Sequence, residues 1–319
     1  MKKIVMISPH YEPRMWGGGR RLIDEFHYET EVAPLGEVYN AVALPGHADC
    51  RIEELNTVLS ALYKDEPDWF NCDTEELPIR VNILDPAADL SIQIHPDDAF
   101  AKQYNGGRGK PEAWVILDTP KDGRIEFGHH AKSREEFIQW TENKEWDKLL
   151  RYLLAVKDGY IDIPTGTLHA IGKEVLTYNI SRNADCTLRL YDYDRIDPAT
   201  GKKREIQPEA VYENVNIPDK LIEFEMFKPV HENGIDITRY VDEPGLYTLQ
   251  RLQVKEKGTF AFDRFAFYTC VKGKGIIEGN YIEQGNTLLV PDGFGEIEIE
   301  GTLDLFLASY RNKTGGKDR

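Results

Sequence analysis

Ile163-Pro164-Thr165-Gly166-Thr167-Leu168-His169 is the stretch of this 319-residue chain that says most about its fold. An apolar residue followed by Pro-x-Gly predicts the end of a strand and a tight turn, because proline fixes one turn dihedral and glycine accepts a left-handed one. The residues after the glycine begin a second strand. The stretch therefore predicts two strands joined by a turn, with the imidazole of His169 at the start of the second strand.

Upstream residues complete a candidate metal site with His169. Gln93 and His95 are separated by one residue in a β-patterned segment, so both side chains point to one face of a strand. Glu112 directly precedes the apolar run 113–117. Two imidazoles, a carboxylate and an amide oxygen suit one borderline divalent ion, most often zinc, with room for water or substrate. The alternative is that the histidines are ordinary polar residues at strand ends and Glu112 is a solvated carboxylate.

A similar pattern occurs near the C-terminus. Segment 285–296 repeats the order of 159–169, which is glycine, strand, Pro-x-Gly and a polar residue three positions after that glycine. The polar residue is Glu296 in the second copy, and no histidine follows His231. Coincidence is the alternative, because Pro-x-Gly is common between strands. We favour a duplicated β-barrel whose C-terminal copy has no metal site.

Short β-rich segments bounded by Gly, Pro or Asp dominate the chain, for example 38–44, 90–95 and 160–163. Their spacing predicts a mainly β protein built as a sandwich or barrel. Two helical segments interrupt this pattern. One is near 51–63, where four apolar residues have helical spacing, and the other is near 133–154, which opens with a capping box.

The predicted domain organisation follows from these patterns. We expect an N-terminal metal-binding domain over residues 1–230, with the helical segments packed on it, and a C-terminal barrel over residues 235–312. Both ranges fall within usual domain sizes.

Charge and composition limit the partners. The formal net charge of −16 argues against nucleic acid and anionic membranes, which require a positive surface. No apolar stretch is long enough to span a bilayer, and the apolar run at the N-terminus is too short for a secretory signal. The four cysteines form no C-x-x-C pair. We expect a cytoplasmic protein without nucleic-acid or membrane partners. An anionic small substrate would gain nothing from long-range attraction and would need local Arg or Lys.

The motifs resemble, in order and spacing, the short bacterial form of the type I mannose-6-phosphate isomerases, which belong to the cupin superfamily. The resemblance covers nearly the full chain. It implies a mainly β fold with two cupin-like barrels, of the double-stranded β-helix or jelly-roll type, and a small helical insertion. The stretches that carry it are Met15–Gly18, Leu90–Asp98, Gly109–Trp114, Pro164–Ala170 and Asn183–Arg195.

The resemblance also implies an activity and a set of site residues. The activity is a metal-dependent aldose–ketose isomerisation that interconverts mannose 6-phosphate and fructose 6-phosphate through an enediolate. The family's metal ligands fall on His95, Glu112 and His169, and Gln93 occupies a position that is a ligand in some members. The family's active-site arginine falls on Arg189.

Two basic residues are assigned roles in this chemistry. Arg189 would supply a fixed positive charge where negative charge develops on the enediolate, and the alternative is a structural salt bridge to Asp185 or Asp192. Lys110 is expected to contact substrate, by holding phosphate or by taking part in proton transfer, and the alternative is a solvated lysine. No residue is assigned as the general base.

Three positions depart from the family pattern. Asn82 occupies the place of a usual lysine, Tyr39 that of a tryptophan, and the segment beginning at Asn179 replaces one that starts with Glu. These changes leave the exact sugar phosphate open. They also permit a non-catalytic sugar-binding cupin. An iron-dependent cupin oxygenase is a further alternative, although Gln93 replaces the second histidine of the His-x-His pair expected there.

Overall fold

The computed structural model describes residues 2–197 and 200–313. It is mainly β, as predicted. The strands are β1 Val5–Ile7, β2 His10–Pro13, β3 Leu35–Ala41, β4 Ala43–Leu44, β5 Ala48–Asp49, β6 Arg51–Ile52, β7 Thr57–Val58, β8 Ile79–Leu84, β9 Ile92–Ile94, β10 Glu112–Asp118, β11 Arg124–His129, β12 Leu150–Leu154, β13 Tyr160–Ile163, β14 His169–Ile171, β15 Leu176–Arg182, β16 Leu188–Tyr191, β17 Ile196–Asp197, β18 Lys202–Lys203, β19 Val230–Glu232, β20 Ile235–Asp242, β21 Leu246–Val254, β22 Lys257–Phe262, β23 Ala266–Ile277, β24 Asn280–Glu283, β25 Thr287–Val290 and β26 Gly295–Arg311.

The helices are short. They are α1 Arg21–Asp24, α2 Leu59–Asp65, α3 Asp98–Asn105, α4 Arg134–Glu142, α5 Trp146–Leu149 and α6 Pro208–Asn214, with 3-10 turns at Glu53–Leu55 and Pro67–Trp69. Within the described ranges, none of them has the length and apolar character needed to cross a bilayer.

Two antiparallel sheets face each other in the first part of the chain. A six-stranded sheet has the order β13-β10-β15-β8-β3-β2, and a five-stranded sheet has the order β12-β11-β14-β9-β16. Trp114 and Ile163 of the first sheet share one buried core with Ile94 and Phe127 of the second. Because side chains alternate between the faces of a strand, the inner faces of the sheets form this core.

The six-stranded sheet is also covered on its other face. A nine-stranded sheet, mostly from the C-terminal part of the chain, contributes to a second core with it. Across this contact Tyr178 and Phe306 stack with their ring centroids 4.3 Å apart. The edge strand β1, from the start of the chain, pairs with β25 of the nine-stranded sheet. The division into domains 1–230 and 235–312 stays a prediction.

The helix predicted near 51–63 is wrong over its first half. Arg51–Ile52 and Thr57–Val58 pair as a small hairpin, and the α-helix covers only Leu59–Asp65. Asn56 adopts a left-handed φ of 50°, which ends the 3-10 turn between the two strands. The β-branched residues beside this turn favour extended backbone, and this local preference outweighs the helical spacing of the apolar residues.

The segment near 133–154 is only partly helical. Ser133 caps α4 as predicted, since its hydroxyl accepts a hydrogen bond from the Glu136 amide at 3.2 Å. Lys144, with φ of 56°, separates α4 from the single turn of α5. The last five residues, Leu150–Leu154, are a strand that pairs with β11, because this edge of the five-stranded sheet supplies hydrogen bonds that a longer helix would leave unmade.

The two Pro-x-Gly stretches form similar turns. β13 ends at Ile163 and β14 begins at His169, as the sequence predicted. Gly166 and Gly293 both adopt a left-handed φ, of 79° and 67°. The second turn separates β25 from β26, on which Glu296 is exposed. The proposed duplication remains a prediction that this likeness supports.

Candidate metal centre

The turn after β13 brings the predicted ligands together, because it carries the chain from the six-stranded sheet to the five-stranded one. Glu112 is the direct cross-strand neighbour of Ile163, where β13 ends. His169, where β14 begins, is the direct neighbour of Gln93 on β9. The amide of Gly166, within the turn, donates a 2.8 Å hydrogen bond to the carbonyl of His95. Residues distant in sequence therefore meet at one point between the sheets.

His95, Glu112 and His169 form a compact buried cluster. A ligand atom from each lies within 4.8 Å of the others. The two Nε2 atoms, of His95 and His169, lie 3.4 and 3.5 Å from the Glu112 carboxylate oxygens. Such spacing is compatible with bonds of about 2.0–2.2 Å to a shared ion. Within the described ranges this is the His/Cys/Asp/Glu group that is suited to hold a metal.

Hydrogen bonds orient both imidazoles toward the cluster. The Nδ1 atom of His95 lies 2.9 Å from the carbonyl oxygen of Cys186, and that of His169 lies 2.9 Å from the carbonyl oxygen of Thr167. A carbonyl only accepts, so each Nδ1 carries the proton and each Nε2 presents its lone pair. The Nε2 atom of His169 is buried and has no hydrogen-bond partner among the described residues. This is the arrangement a metal-ligating histidine requires.

Burial and local charge set the protonation of the cluster. Burial lowers the pKa of His95, with the charge of Lys110 adding to the effect. Burial lowers the pKa of His169 to about 4, with His95 and Lys110 adding to the effect. Burial alone would raise the pKa of Glu112, but the charge of Lys110, with smaller contributions from the two neighbouring histidines, holds it well below its usual range. At neutral pH the cluster offers two neutral imidazoles and one carboxylate, which fits a divalent ion.

Two neighbours fix the Glu112 carboxylate. The indole Nε1 of Trp114, two residues along β10 on the same face, donates to Oε1 at 3.1 Å. The ammonium of Lys110 lies 2.7 Å from Oε2 and 3.4 Å from Nε2 of His95. Lys110 is therefore buried at the cluster itself and is not a solvated lysine, and burial lowers its pKa.

Gln93 lies at the edge of the cluster. It is the direct cross-strand neighbour of His169 on one side and of Arg189 on the other. Its amide oxygen accepts a 3.1 Å hydrogen bond from the Ser91 hydroxyl. Its role as a fourth ligand stays a prediction.

The cluster opens into a cavity of about 250 Å³ between the two sheets. Polar and charged side chains dominate its walls. The cavity is lined by Arg14, Trp16, Glu37, Tyr39, His47, Arg80, Asn82, Leu84, Leu90, Ser91, Gln93, Lys110, Glu112, Trp114, His169, Ala170, Ile171, Asn179, Asp185, Thr187, Arg189 and Arg204.

Arg189 lines this cavity without a carboxylate partner among the described residues. Asp192, one of the two partners considered from the sequence, is engaged by Arg195 and Arg204 instead. The Nε of Arg189 is buried without a hydrogen-bond partner. Burial and the nearby Arg204 lower its pKa, but a guanidinium stays protonated at neutral pH.

The three positions that depart from the family pattern, Asn82, Tyr39 and Asn179, all line the cavity. They are direct neighbours across three adjacent strands. Asn82 donates a 2.6 Å hydrogen bond to the carboxylate of Glu37, which also pairs with Arg14 at 2.6 Å. These three residues therefore lie in the cavity wall and outside the ligand cluster.

Sequence reasoning missed several cavity residues, above all Arg80. Arg80 precedes Asn82 by two residues on β8, so both point to the same face. That spacing was the available signal, but an arginine in an apolar strand does not by itself indicate a cavity. Trp114, which positions Glu112, lies in the apolar run and in the stretch 109–114 that carries the resemblance, but the sequence indicated no role for it.

Comparisons with known proteins agree with this geometry. No protein-family model matches the chain. A probable mannose-6-phosphate isomerase, GmuF, of Bacillus subtilis is 33% identical over 95% of this chain and 98% of its own length. The mannose-6-phosphate isomerase ManA of the same organism is 31% identical over the same shares.

Solved structures show the same fold. The mannose 6-phosphate isomerase from Bacillus subtilis superposes with a TM-score of 0.90 at 25% identity, over 96% of this chain and 99% of that one. A zinc-bound mannose 6-phosphate isomerase superposes with a TM-score of 0.76 at 14% identity, over 97% and 99%, which is a likeness of fold alone. With relatives more than 30% identical over nearly its whole length and a metal-competent cluster at the predicted residues, this chain belongs to the mannose-6-phosphate isomerase family.

Proposed function

We propose that this chain is a zinc-dependent aldose–ketose isomerase that interconverts mannose 6-phosphate and fructose 6-phosphate through an enediolate. The observation that carries the proposal is the buried cluster of His95, Glu112 and His169, with its ligand atoms within 4.8 Å of one another, at a cavity that also holds an unpaired guanidinium. Family membership makes a sugar phosphate the substrate to test first.

One divalent ion per chain would be held by His95, Glu112 and His169, with Gln93 as the fourth ligand. Bound there, it would polarise the carbonyl and hydroxyl oxygens of the open-chain sugar. The chain's part is to keep both imidazoles neutral by burial and both Nε2 atoms turned inward by the carbonyls of Cys186 and Thr167.

Lys110 contacts the reacting end of the substrate in this proposal. Its ammonium is 2.7 Å from Glu112 and 3.4 Å from His95, so it stands beside the ligand cluster. The phosphate of a hexose 6-phosphate is at the opposite end of the carbon chain from the reacting carbons. Lys110 therefore serves the sugar oxygens or the transferred proton, and burial lowers its pKa.

Arg189 stabilises the negative charge that develops as the proton next to the carbonyl is removed. Its guanidinium is charged, lines the cavity with its Nε buried, and has no carboxylate partner among the described residues, so it needs little rearrangement to meet an oxyanion. A preorganised charge in a partly dehydrated cavity is worth more than the same charge in water.

Elemental analysis of the purified protein combined with a coupled isomerase assay tests the proposal. Hexose and pentose phosphates form the substrate panel. One equivalent of zinc and turnover of mannose 6-phosphate support it. Tight binding of sugar phosphate without turnover indicates a non-catalytic sugar-binding protein, and bound iron with oxygen-dependent activity indicates an oxygenase.

We also propose a cytoplasmic location. All four cysteines, Cys50, Cys72, Cys186 and Cys270, are free thiols, and three of them are buried. Unpaired thiols are typical of reducing compartments. Detection of the protein in a cytosolic fraction, separate from membrane and periplasmic or secreted fractions, checks this assignment.

A further inference from the structure

Arg80 is a buried cation that the mechanism above does not use. Only 4% of its surface is exposed, and it lines the same cavity as the ligand cluster. On β8 it is the direct cross-strand neighbour of Ser181, which is the direct neighbour of Glu112 on β10. Arg80, Ser181 and Glu112 thus form one row on one face of the sheet.

Three other cations of the cavity have a carboxylate partner, which Arg80 lacks. Arg14 pairs with Glu37 at 2.6 Å, Arg204 with Asp192 at 2.8 Å and Lys110 with Glu112 at 2.7 Å. In the described part of the chain no carboxylate lies within ion-pair distance of Arg80; Glu37, whose pKa the charge of Arg80 helps to lower, is paired with Arg14. Its recorded side-chain hydrogen bond runs from Nε to the Ser181 hydroxyl at 3.3 Å.

The rest of the Arg80 guanidinium faces the cavity. Its Cζ atom lies 5.4 Å from the ring centroid of Tyr39, which holds the plane of the group on the cavity wall. A buried charge without a partner is costly, so a fold that keeps one open to a cavity is complementary to an anionic ligand. With a net charge of −16, the chain repels anions at long range and requires such a local cation to bind one.

The position of Arg80 matches the far end of a sugar phosphate. Two strand spacings separate it from Glu112, which is about 10 Å between backbones. Lys110 is held at the ligand cluster, and Arg189 is the direct neighbour of Gln93, a proposed ligand. The neighbour of Arg80, in contrast, is Ser181, which has no proposed ligand role. Of the two cations without a carboxylate partner in the described structure, Arg189 therefore adjoins a proposed ligand, whereas the strand of Ser181 separates Arg80 from Glu112.

We infer that Arg80 binds the phosphate of the substrate and makes the cavity selective for phosphorylated over neutral sugars. This rests on the proposed isomerase function. A guanidinium suits the role because its planar fork can donate two parallel hydrogen bonds to phosphate oxygens. Ser181, which holds Nε, fixes the direction of the fork.

Steady-state kinetics of Arg80→Met and Arg80→Lys, with inorganic phosphate as a competitive inhibitor, test the inference. For Arg80→Met we expect KM for mannose 6-phosphate to rise about 10- to 100-fold, the scale of one lost charge-assisted contact, and to change more than kcat does. The inhibition constant of phosphate should rise by a similar factor. Arg80→Lys should recover part of the loss, because it keeps the charge without the fork.

Arg239→Met is the matched control, since Arg239 forms an exposed pair with Glu232 on the nine-stranded sheet. It should leave KM and phosphate inhibition unchanged. Metal content and melting temperature are measured for each variant. If Arg80→Met does not fold, Arg80→Gln, which keeps a donor for Ser181, replaces it.

The outcomes separate the two proposals. If a folded Arg80→Met or Arg80→Gln variant has the same inhibition constant for phosphate as the unaltered protein, the phosphate site is overturned. This holds even if the protein is an active isomerase. If the unaltered protein turns over no sugar phosphate but binds inorganic phosphate by calorimetry, and Arg80→Met loses that binding, the anion site stands and the isomerase proposal fails.

Discussion

Arg189 and Gln93 are directly opposed residues on the adjacent antiparallel strands β16 and β9, and Gln93 is in turn opposed to His169 on β14. Opposed residues share one face of a sheet, with Cβ atoms about 4.5–5.5 Å apart. The arginine therefore stands beside the proposed ligands in a fixed row. Since Asp192 pairs with Arg195 and Arg204, the guanidinium of Arg189 remains available to a substrate.

Replacing Arg189 should lower catalytic activity without loss of zinc or of folding stability. In Arg189→Ala we expect kcat to fall by roughly 10²–10³, the effect of losing one preorganised transition-state donor. Zinc content and melting temperature should be retained, because the side chain holds neither a ligand nor a carboxylate. Coupled assays, elemental analysis and thermal unfolding measure the three quantities. An unfolded variant, or one with unaltered turnover, would show that the arginine is structural.

Replacing a ligand should remove metal and activity together. His169→Ala leaves the cluster with one imidazole, so bound zinc and turnover should both be lost. Glu296→Gln is the control, because Glu296 takes the corresponding place in the C-terminal repeat and is predicted to bind no metal. It should keep one equivalent of zinc. A second equivalent in the unaltered protein, lost in Glu296→Gln, would contradict that prediction.

Lys110 should behave differently from a ligand. Its ammonium lies 2.7 Å from Glu112 and repels a cation bound at the same carboxylate. Lys110→Met should therefore keep or strengthen zinc binding, while kcat falls by about 10²–10⁴ through loss of a proton-transfer group. Competition with a fluorescent chelator gives the zinc affinity. Reduced zinc affinity with unchanged kcat would assign Lys110 a purely structural role.

Glu126 should make folding stability depend on pH. Burial, with a smaller contribution from Asp89, raises its pKa from 4.5 to about 7, and its Oε2 has no hydrogen-bond partner among the described residues. The folded state holds the Glu126 proton more tightly than the unfolded state does. The resulting contribution to the free energy of unfolding is therefore fully present below about pH 4.5 and is lost as the pH rises through about 7. The loss is at most about 3 kcal/mol.

Urea unfolding of Glu126→Gln at pH 5 and pH 8 measures this effect. The variant should gain stability relative to the unaltered protein at pH 8 and little at pH 5, because glutamine carries no buried charge. Glu256→Gln, at an exposed position, should show no such difference. Equal effects of Glu126→Gln at both pH values would disprove the assignment.

The stack of Tyr178 and Phe306 should couple the six-stranded sheet to the nine-stranded sheet. Both side chains are fully buried, so Phe306→Ala removes a ring from a closed core. We expect a loss of about 3–5 kcal/mol in the free energy of unfolding. Chemical denaturation followed by fluorescence measures it, with the exposed Tyr281→Ala as control. A loss below 1 kcal/mol would show that the sheets adjust independently.

Local sequence patterns predicted much of the fold and the site. The alternation around Gln93 and the Pro-x-Gly turn before His169 reflect short-range sterics, so they predicted a correct turn and correct strands, although β9 ends one residue before His95. The capping box at Ser133 predicted the start of α4 correctly, because it too depends only on residues close in sequence. The helix predicted over segment 51–63 was wrong in its first half, because helical spacing of apolar residues also arises in a hairpin followed by a short helix.

The sequence by itself identified His95, Glu112 and His169 as candidate metal ligands, because residue type and strand periodicity are local properties. Tertiary structure alone decided that Glu112 of one sheet meets His169 of the facing sheet, that Lys110 stands at the ligand cluster, and that Arg80 and Arg189 are left without carboxylate partners in the described structure. The physical reason is that ion pairing and burial depend on which distant strands come together. The same arginine is a solvated charge, a salt bridge or an anion site according to its neighbours in space.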